Sequence, residues 1–226
     1  CRKPSTKYYG IMEQQVFAMT QDTKYLRQLE IRTQQIYNTN SVEFDAQRDK
    51  SLFEKKWLDT FASHLQNGDT VLDVGCGSAE PISAYLNQHQ FAVTGVDFSH
   101  SMLHLAKQRF PHNNWILQDM RQLNLKQRFH GLISWNAFFH LTQSDQRSVL
   151  EKFNEHLLPG GILLLTVGHE NGEVIGTINE KEVYHSSLSR DEYIAILQSL
   201  SFQLLHFVAR DPDCQHHSIL MAKKQK

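Results

Sequence analysis

Hydrophobic positions change their period along this chain, and each change marks an element. Between Ser41 and Gln66, Phe44, Leu52, Phe53, Trp57, Leu58, Phe61 and Leu65 recur at three- and four-residue steps. That spacing predicts one helix, closed by the turn Asn67-Gly68-Asp69. Thr70 to Val74 is then a short apolar run, as expected of a strand covered on both faces. Helical spacing returns over Pro81 to Gln88, and again over His100 to Arg109 with Met102, Leu103 and Ala106 on one face. Phe91 to Val96, Trp115 to Leu117 and Gly131 to Trp135 read as further strands, and Asp145 to Leu157 as a helix. Pro159-Gly160-Gly161 is a sharp turn into Ile162 to Val167, the most hydrophobic strand of all. Alternating strands and helices predict an α/β fold, a doubly wound Rossmann-like sheet that is mostly parallel.

The two ends depart from this rhythm. Gly10 to Asn40 is rich in Gln and Thr, with Phe17, Tyr25, Leu26, Leu29 and Ile36 as anchors for one or two amphipathic helices. We read residues 1–42 as a helical extension or lid on a domain of residues 43–226. Beyond Val167, Gly168 to Ser187 reads as a polar connection. Ser189 and Glu192 form a capping box that opens a helix through Leu200. Phe202 to Val208 and His216 to Met221 flank Asp211-Pro212-Asp213 too closely for a crossover helix, so they predict an antiparallel C-terminal hairpin.

Composition narrows the function classes. At 226 residues, 40% hydrophobic and 21% charged, the chain can bury one continuous core. A formal net charge of −1 gives no global field toward nucleic acid or a membrane. The expected partner is therefore a small molecule, and the expected assembly a monomer or homodimer. Cys1, Cys76 and Cys214 form neither a disulfide framework nor a zinc spacing, which fits a cytoplasmic protein. Cys1 to Thr6 lead into nothing apolar, so no signal peptide is expected. His100 and His104 stand four apart on a helix but lack a third ligand nearby, and adjacent strand residues His216 and His217 face opposite sides. No metal is expected.

The chemistry concentrates in Val71-Leu72-Asp73-Val74-Gly75-Cys76-Gly77-Ser78. A strand that ends in Gly-x-Gly before a helix lets backbone approach a ligand closely. Asp97, about 20 residues farther on at the end of the next strand, stands where an acid accepts both hydroxyls of a ribose. A dinucleotide would want glycine where this chain has Glu80, whose carboxylate would repel two phosphates, and Pro81 begins the helix. The turn suits an adenosyl cofactor without phosphates, and S-adenosylmethionine fits.

Residues 70 to 167 resemble the class I methyltransferase core, in particular its bacterial small-molecule type. Leu72-Asp73-Val74-Gly75-Cys76-Gly77 is similar to the family's first motif, and Gly95-Val96-Asp97-Phe98-Ser99 to its second. Leu157-Leu158-Pro159-Gly160-Gly161-Ile162-Leu163 is similar to its turn into the fifth strand, and the C-terminal hairpin to its antiparallel seventh strand. The resemblance covers about residues 43 to 222. It implies that Gly75 and Gly77, with Cys76 as a small filler between them, admit the methionine end, which Asp73 orients. Asp97 would hold the ribose, Asp119 the adenine amino group, and Phe98, Met102 and Met120 the ring. Trp135 would close the pocket beside the sulfonium, where an aromatic face favours a cation. The family's third glycine is Ala79 here, which a helix start tolerates if φ stays negative.

Each residue also has a plainer use. Asp97 and Asp119 could cap the helices that follow them, and Phe98 and Met102 could be core. A base is required only if the methyl acceptor arrives protonated; His140 is the candidate, and a helix-end packing role is its alternative. Tyr37, His140, Tyr184 and His185 are the candidate acceptor-side residues. The expected function is direct in-line methyl transfer from S-adenosylmethionine to a small molecule. The alternative is a protein that binds S-adenosylmethionine or S-adenosylhomocysteine without catalysis. Asn136-Ala137-Phe138-Phe139 lacks the prolines of enzymes that methylate exocyclic amines of nucleic acids.

Overall fold

Successive residues of the central strands point to opposite faces, and both faces are covered. The computed structural model describes residues 41–178 and 181–226, with Tyr25, Gln28, Leu29, Ile31, Arg32, Gln35, Ile36 and Thr39 before them. Those earlier residues are helical, and Leu29 and Ile36 are buried. Tyr37 lies outside the described residues.

Seven strands form one sheet: β1 (Thr70–Val74), β2 (Ala92–Asp97), β3 (Asn114–Leu117), β4 (Phe129–Ser134), β5 (Leu157–Val167), β8 (Phe202–Asp211) and β9 (His217–Lys224). Their spatial order is β3-β2-β1-β4-β5-β9-β8. Pairing is parallel from β3 to β5, and β9 runs antiparallel between β5 and β8. The order reverses between β1 and β4, which opens a crevice at the carboxyl ends of those strands.

One face carries Leu72, Val74, Leu132, Leu163 and Leu165 against helices α5 (Gln143–His156) and α6 (Arg190–Ser199), through Val149, Leu150, Phe153, Tyr193 and Leu197. The other carries Val71, Val93, Ile133, Ile162 and Leu164 against α2 (Lys55–Ala62) and α3 (Ile82–Gln88), through Trp57, Leu58, Phe61, Ile82 and Leu86. Helix α4 (His100–Arg109) buries Met102, Leu103 and Ala106. The doubly wound fold and its antiparallel hairpin are as expected.

Two expectations fail. The stretch from Ser41 to Gln66 is two helices, α1 (Ser41–Gln47) and α2, joined by a linker in which Leu52 is left-handed at φ 58°. Asp49 Oδ1 accepts from Ser51 N at 2.8 Å, and this local side-chain bond competes with the helix while leaving the apolar spacing undisturbed. The boundary drawn between residues 42 and 43 falls inside α1. The polar connection is instead a second sheet, β6 (Gly172–Ile178) paired antiparallel with β7 (Lys181–Ser187). Its β-branched residues Val174, Ile175 and Val183 were the available signal.

Gly95 in β2 has no room for a side chain. A Cβ there would lie 2.3 Å from the Trp115 ring and 2.8 Å from Cys76 Sγ. Gly95→Ala should therefore destabilise the protein by about 1–3 kcal/mol. A urea melt should show a lower midpoint at unchanged slope; an unmoved midpoint would refute this packing.

Candidate active site

The turn after β1 is held by the end of β2. Val96 O accepts from Gly75 N at 2.7 Å and from Cys76 N at 3.1 Å, and Asp97 Oδ2 accepts from Gly77 N at 2.9 Å. Gly75 is left-handed at φ 75°, and a Cβ there would lie 2.3 Å from Ala137 Cβ and 3.5 Å from Met120 Cε. Gly77 is left-handed too, but a Cβ there would meet nothing within 4 Å. One glycine thus packs against the segment after β4, while the other presents bare backbone to open space.

Ala79 has φ 71°, against the expected negative value. Cys76 O accepts from Ala79 N at 3.0 Å, so Ala79 is the last residue of that turn. The cost of a left-handed φ for a non-glycine residue is about 1–2 kcal/mol. Glu80 is also placed differently from expectation. Its carboxylate meets Lys50 at 2.7 Å and Arg109 at 3.5 Å, so the argument from phosphate repulsion loses force.

Two carboxylates lie buried around the turn. Asp97 accepts from Gly77 N through Oδ2 and from Ser99 N through Oδ1 at 2.8 Å, with the Phe98 backbone N–H as a third donor. Burial pushes its pKa up to about 6 against those bonds. Asp73 Oδ2 accepts from Ser83 Oγ at 2.6 Å, and burial pushes its pKa up to about 7. Removing water from both groups favours a ligand that brings hydrogen-bond donors or positive charge. Ser99 caps α4 through Met102 N, so Asp97 is not that helix's cap. Cys76 is buried with its thiol pKa pushed well up, which makes it a filler and not a nucleophile.

Beyond β4 the chain crosses the crevice. Asn136 is left-handed at φ 54°, its N–H donates to Thr166 Oγ1 at 2.8 Å, and both amide atoms of its side chain are buried without a partner among the described residues. Ala137 follows, against Gly75.

The segment that carries this turn is similar to known proteins. The methyltransferase domain family matches residues 71–161. Residues 71–161 thus resemble a methyltransferase domain, and the chain has the fold of S-adenosylmethionine-dependent methyltransferases. Demethylmenaquinone methyltransferase of Chlamydia pneumoniae is 32% identical over 110 residues, 47% of this chain and 47% of that protein. The dTDP-3-amino-3,6-dideoxy-alpha-D-glucopyranose N,N-dimethyltransferase of Streptomyces fradiae is 30% identical over 104 residues, 45% of this chain and 40% of that protein. The chain thus spans about half the length, or less, of these curated relatives. The solved 1,6-didemethyltoxoflavin-N1-methyltransferase of Burkholderia thailandensis superposes with a TM-score of 0.68 at 18% identity, over 93% of each chain. At that identity the likeness is one of fold.

Within this methyltransferase fold the other candidate residues fall into place unevenly. Met120 lies against the glycine turn, Met102 is buried and Phe98 is partly exposed. Asp119 caps the short turn Met120–Gln122 through Arg121 N, and its carboxylate pairs with the Arg121 guanidinium at 2.5 Å. Trp135 is stacked on His217, with ring centroids 6.0 Å apart, and belongs to the apolar cluster of Trp57, Ile133 and Met221. His140 meets Tyr184 and His185 of β7, which lie more than 40 residues farther along the chain. His140 Nδ1 is 3.0 Å from Tyr184 O, and the rings of His140 and His185 are 4.8 Å apart. Thr142, not His140, caps α5.

Sequence reasoning missed the residues that seal the turn from outside. Asp45 in α1 accepts from Arg109 Nη1 at 2.7 Å and from Ser78 Oγ at 2.5 Å, and Arg109 Nη1 also donates to Ser78 O at 3.1 Å. These contacts drop the Asp45 pKa to about 2, chiefly through Arg109. Nothing in the spacing of residues 45, 78 and 109 announces the cluster.

The buried acids give a pH signature. Asp73 holds its proton to about pH 7 when folded but loses it near 3.8 when unfolded. Its contribution to stability is thus present at low pH and lost as pH rises through about 7. Asp73→Asn cannot titrate, so its melting temperature should gain on wild type as pH rises from 5.5 to 8. A constant difference across that range would refute a desolvated Asp73.

Proposed function

We propose that this chain transfers a methyl group from S-adenosylmethionine to a small-molecule acceptor by direct in-line displacement. The observation that supports it best is the pairing of Asp97 with Gly77 N, at a switch point whose glycine turn is open on one side. When bound, S-adenosylmethionine supplies an activated methyl on a sulfonium with a neutral leaving group. Gly77 leaves room for its amino-acid end, and Asp97 would accept from the ribose. Asp73 and the Asn136 amide are the nearest buried groups able to hold the ammonium and carboxylate. Asp119, with Phe98, Met102 and Met120, would receive the adenine.

Alignment then carries most of the rate, and the residues after β4 supply it by closing the crevice. His140 is the proposed proton acceptor. A carbonyl only accepts, so Nδ1 facing Tyr184 O carries the proton and Nε2 keeps its lone pair. Burial lowers the His140 pKa to about 4, which keeps the ring neutral at physiological pH. An acceptor O–H or N–H becomes strongly acidic as it takes the methyl, so even a weak base can remove its proton at that moment. Tyr184, with His185, would flank the acceptor.

Calorimetric titration with S-adenosylmethionine and S-adenosylhomocysteine tests the cofactor. Micromolar binding is expected, at least about tenfold weaker in Asp97→Asn and lost in Asp97→Ala. Affinity should fall as pH drops through about 7 and 6, because protonated Asp73 and Asp97 no longer attract a cation. No binding by the wild-type chain would end the methyltransferase reading. Once an acceptor is found, His140→Ala should lower kcat by about 10²–10⁴ while leaving the S-adenosylhomocysteine Kd unchanged. An unchanged kcat would show that no base is needed there.

A further inference from the structure

A second set of buried polar atoms lies at the same edge of the sheet, beyond Trp135, and the charge of its Arg48 reaches Asp73. The linker between α1 and α2 crosses this edge and meets the turn between β8 and β9. Arg48 Nη2 lies 3.4 Å from Glu54 Oε1, Gln215 Nε2 donates to Asp49 Oδ2 at 2.9 Å, and the rings of Phe53 and His217 are 5.3 Å apart. His217 begins β9, whose Ser218 pairs with Val167 at the carboxyl end of β5. Trp135 follows the carboxyl end of β4, two residues before the Ala137 that packs on Gly75. The cluster therefore adjoins the crevice on the side away from β2 and β3.

Its polar atoms are not spent on one another. Glu54 is 0% exposed, yet its Oε2 has no partner among the described residues. Trp135 is 4% exposed, and its Nε1–H is likewise unpartnered. Arg48 Nε and Gln215 Oε1 complete the set. More than about 90% of such buried groups are hydrogen-bonded in folded proteins, so four together ask for something to bond. The surrounding walls are flat: Trp135 and His217 are stacked with planes 21° apart, and Phe53 tilts 33° from His217.

We propose that this is the acceptor subsite, and that it takes a planar, uncharged heteroaromatic molecule bearing a hydrogen-bond donor beside an acceptor, as in a lactam or its enol. This rests on the methyl-transfer reading above and deepens it. Arg48 and Glu54 already balance each other's charge, so an anion would face the free oxygen of Glu54 and a cation would face Arg48. Glu54 Oε2 needs a donor from the ligand, while Trp135 Nε1–H and Arg48 Nε–H need an acceptor. The rings of Trp135, His217 and Phe53 offer apolar surface for the rest.

The test uses the full chain saturated with S-adenosylhomocysteine and two probes, 2-quinolone and N-methyl-2-quinolone, titrated by ligand-observed NMR. The first should bind, and the second, which lacks the N–H, about tenfold more weakly. In Glu54→Gln the oxygen that remains faces Arg48 and an amide NH2 replaces the free oxygen, so the preference for the N–H probe should vanish. Affinity for S-adenosylhomocysteine should stay within about twofold of wild type, since Glu54 does not reach the glycine turn. Trp135→Phe, which keeps a ring and removes only the donor, should weaken 2-quinolone about fivefold and covers the case of a Glu54→Gln chain that does not fold. Equal binding of both probes, no binding of either with S-adenosylhomocysteine bound, or tighter binding of benzoate or phenethylamine would each overturn the proposal. Selective 2-quinolone binding by a chain that binds no S-adenosylhomocysteine would uphold the subsite and defeat the methyl-transfer reading.

Discussion

Three consecutive peptide N–H groups, those of Gly75, Cys76 and Gly77, are satisfied by the last two residues of the neighbouring strand. Buried backbone donors must be paired, and here the pairing leaves the turn no freedom to collapse into the crevice. The parallel register of β1 and β2, in which Val74 faces Val96, is what brings those acceptors within reach. Gly95 belongs to the same arrangement, because only a residue without a side chain lets Trp115 and Cys76 pack against the strand. Sheet packing and site geometry are thus one set of contacts.

Holding the turn this way places Asp73 and Asp97 where water cannot reach them. Each is a poor place for negative charge until a donor or cation arrives, which is how the fold stores affinity for a ligand that carries both. His140 and His185 lie in the opposite condition. Burial lowers the pKa of both rings and keeps them neutral. Acidic and basic groups are therefore tuned by the same loss of water, on two sides of one crevice.

Around this centre the variable parts close the walls. Helix α1 is pinned to the turn by Asp45, Arg109 and Ser78, and its linker supplies Arg48 and Glu54. The β6–β7 hairpin carries Tyr184 and His185 to His140, with Tyr184 Oη donating to Glu173 at 2.7 Å. The sheet holds the glycine turn, and these outer elements pack around it. The matched family region runs from residue 71 to residue 161, so it includes neither helix α1 nor the β6–β7 hairpin.

The alternation of strand and helix, the glycine turn and the acid at the end of β2 were legible in the sequence, because each depends on residues near one another in the chain. Period-two burial, helical spacing and a strand-turn-helix signature are local and survive without knowledge of the fold. The break at residues 48–54 was invisible because the apolar spacing runs through it, and the β6–β7 hairpin was obscured by its polar residues. The left-handed φ of Ala79 contradicts the rule for its residue type, and nothing in the local sequence signals it. Only the tertiary structure decided that Glu80 turns to Lys50 and Arg109, that Asp119 pairs with Arg121, and that Arg48, Glu54, Trp135 and His217 share one edge. Those contacts join residues from distant segments, and the orphaned atoms among them exist only once packing has removed the water that would have satisfied each one.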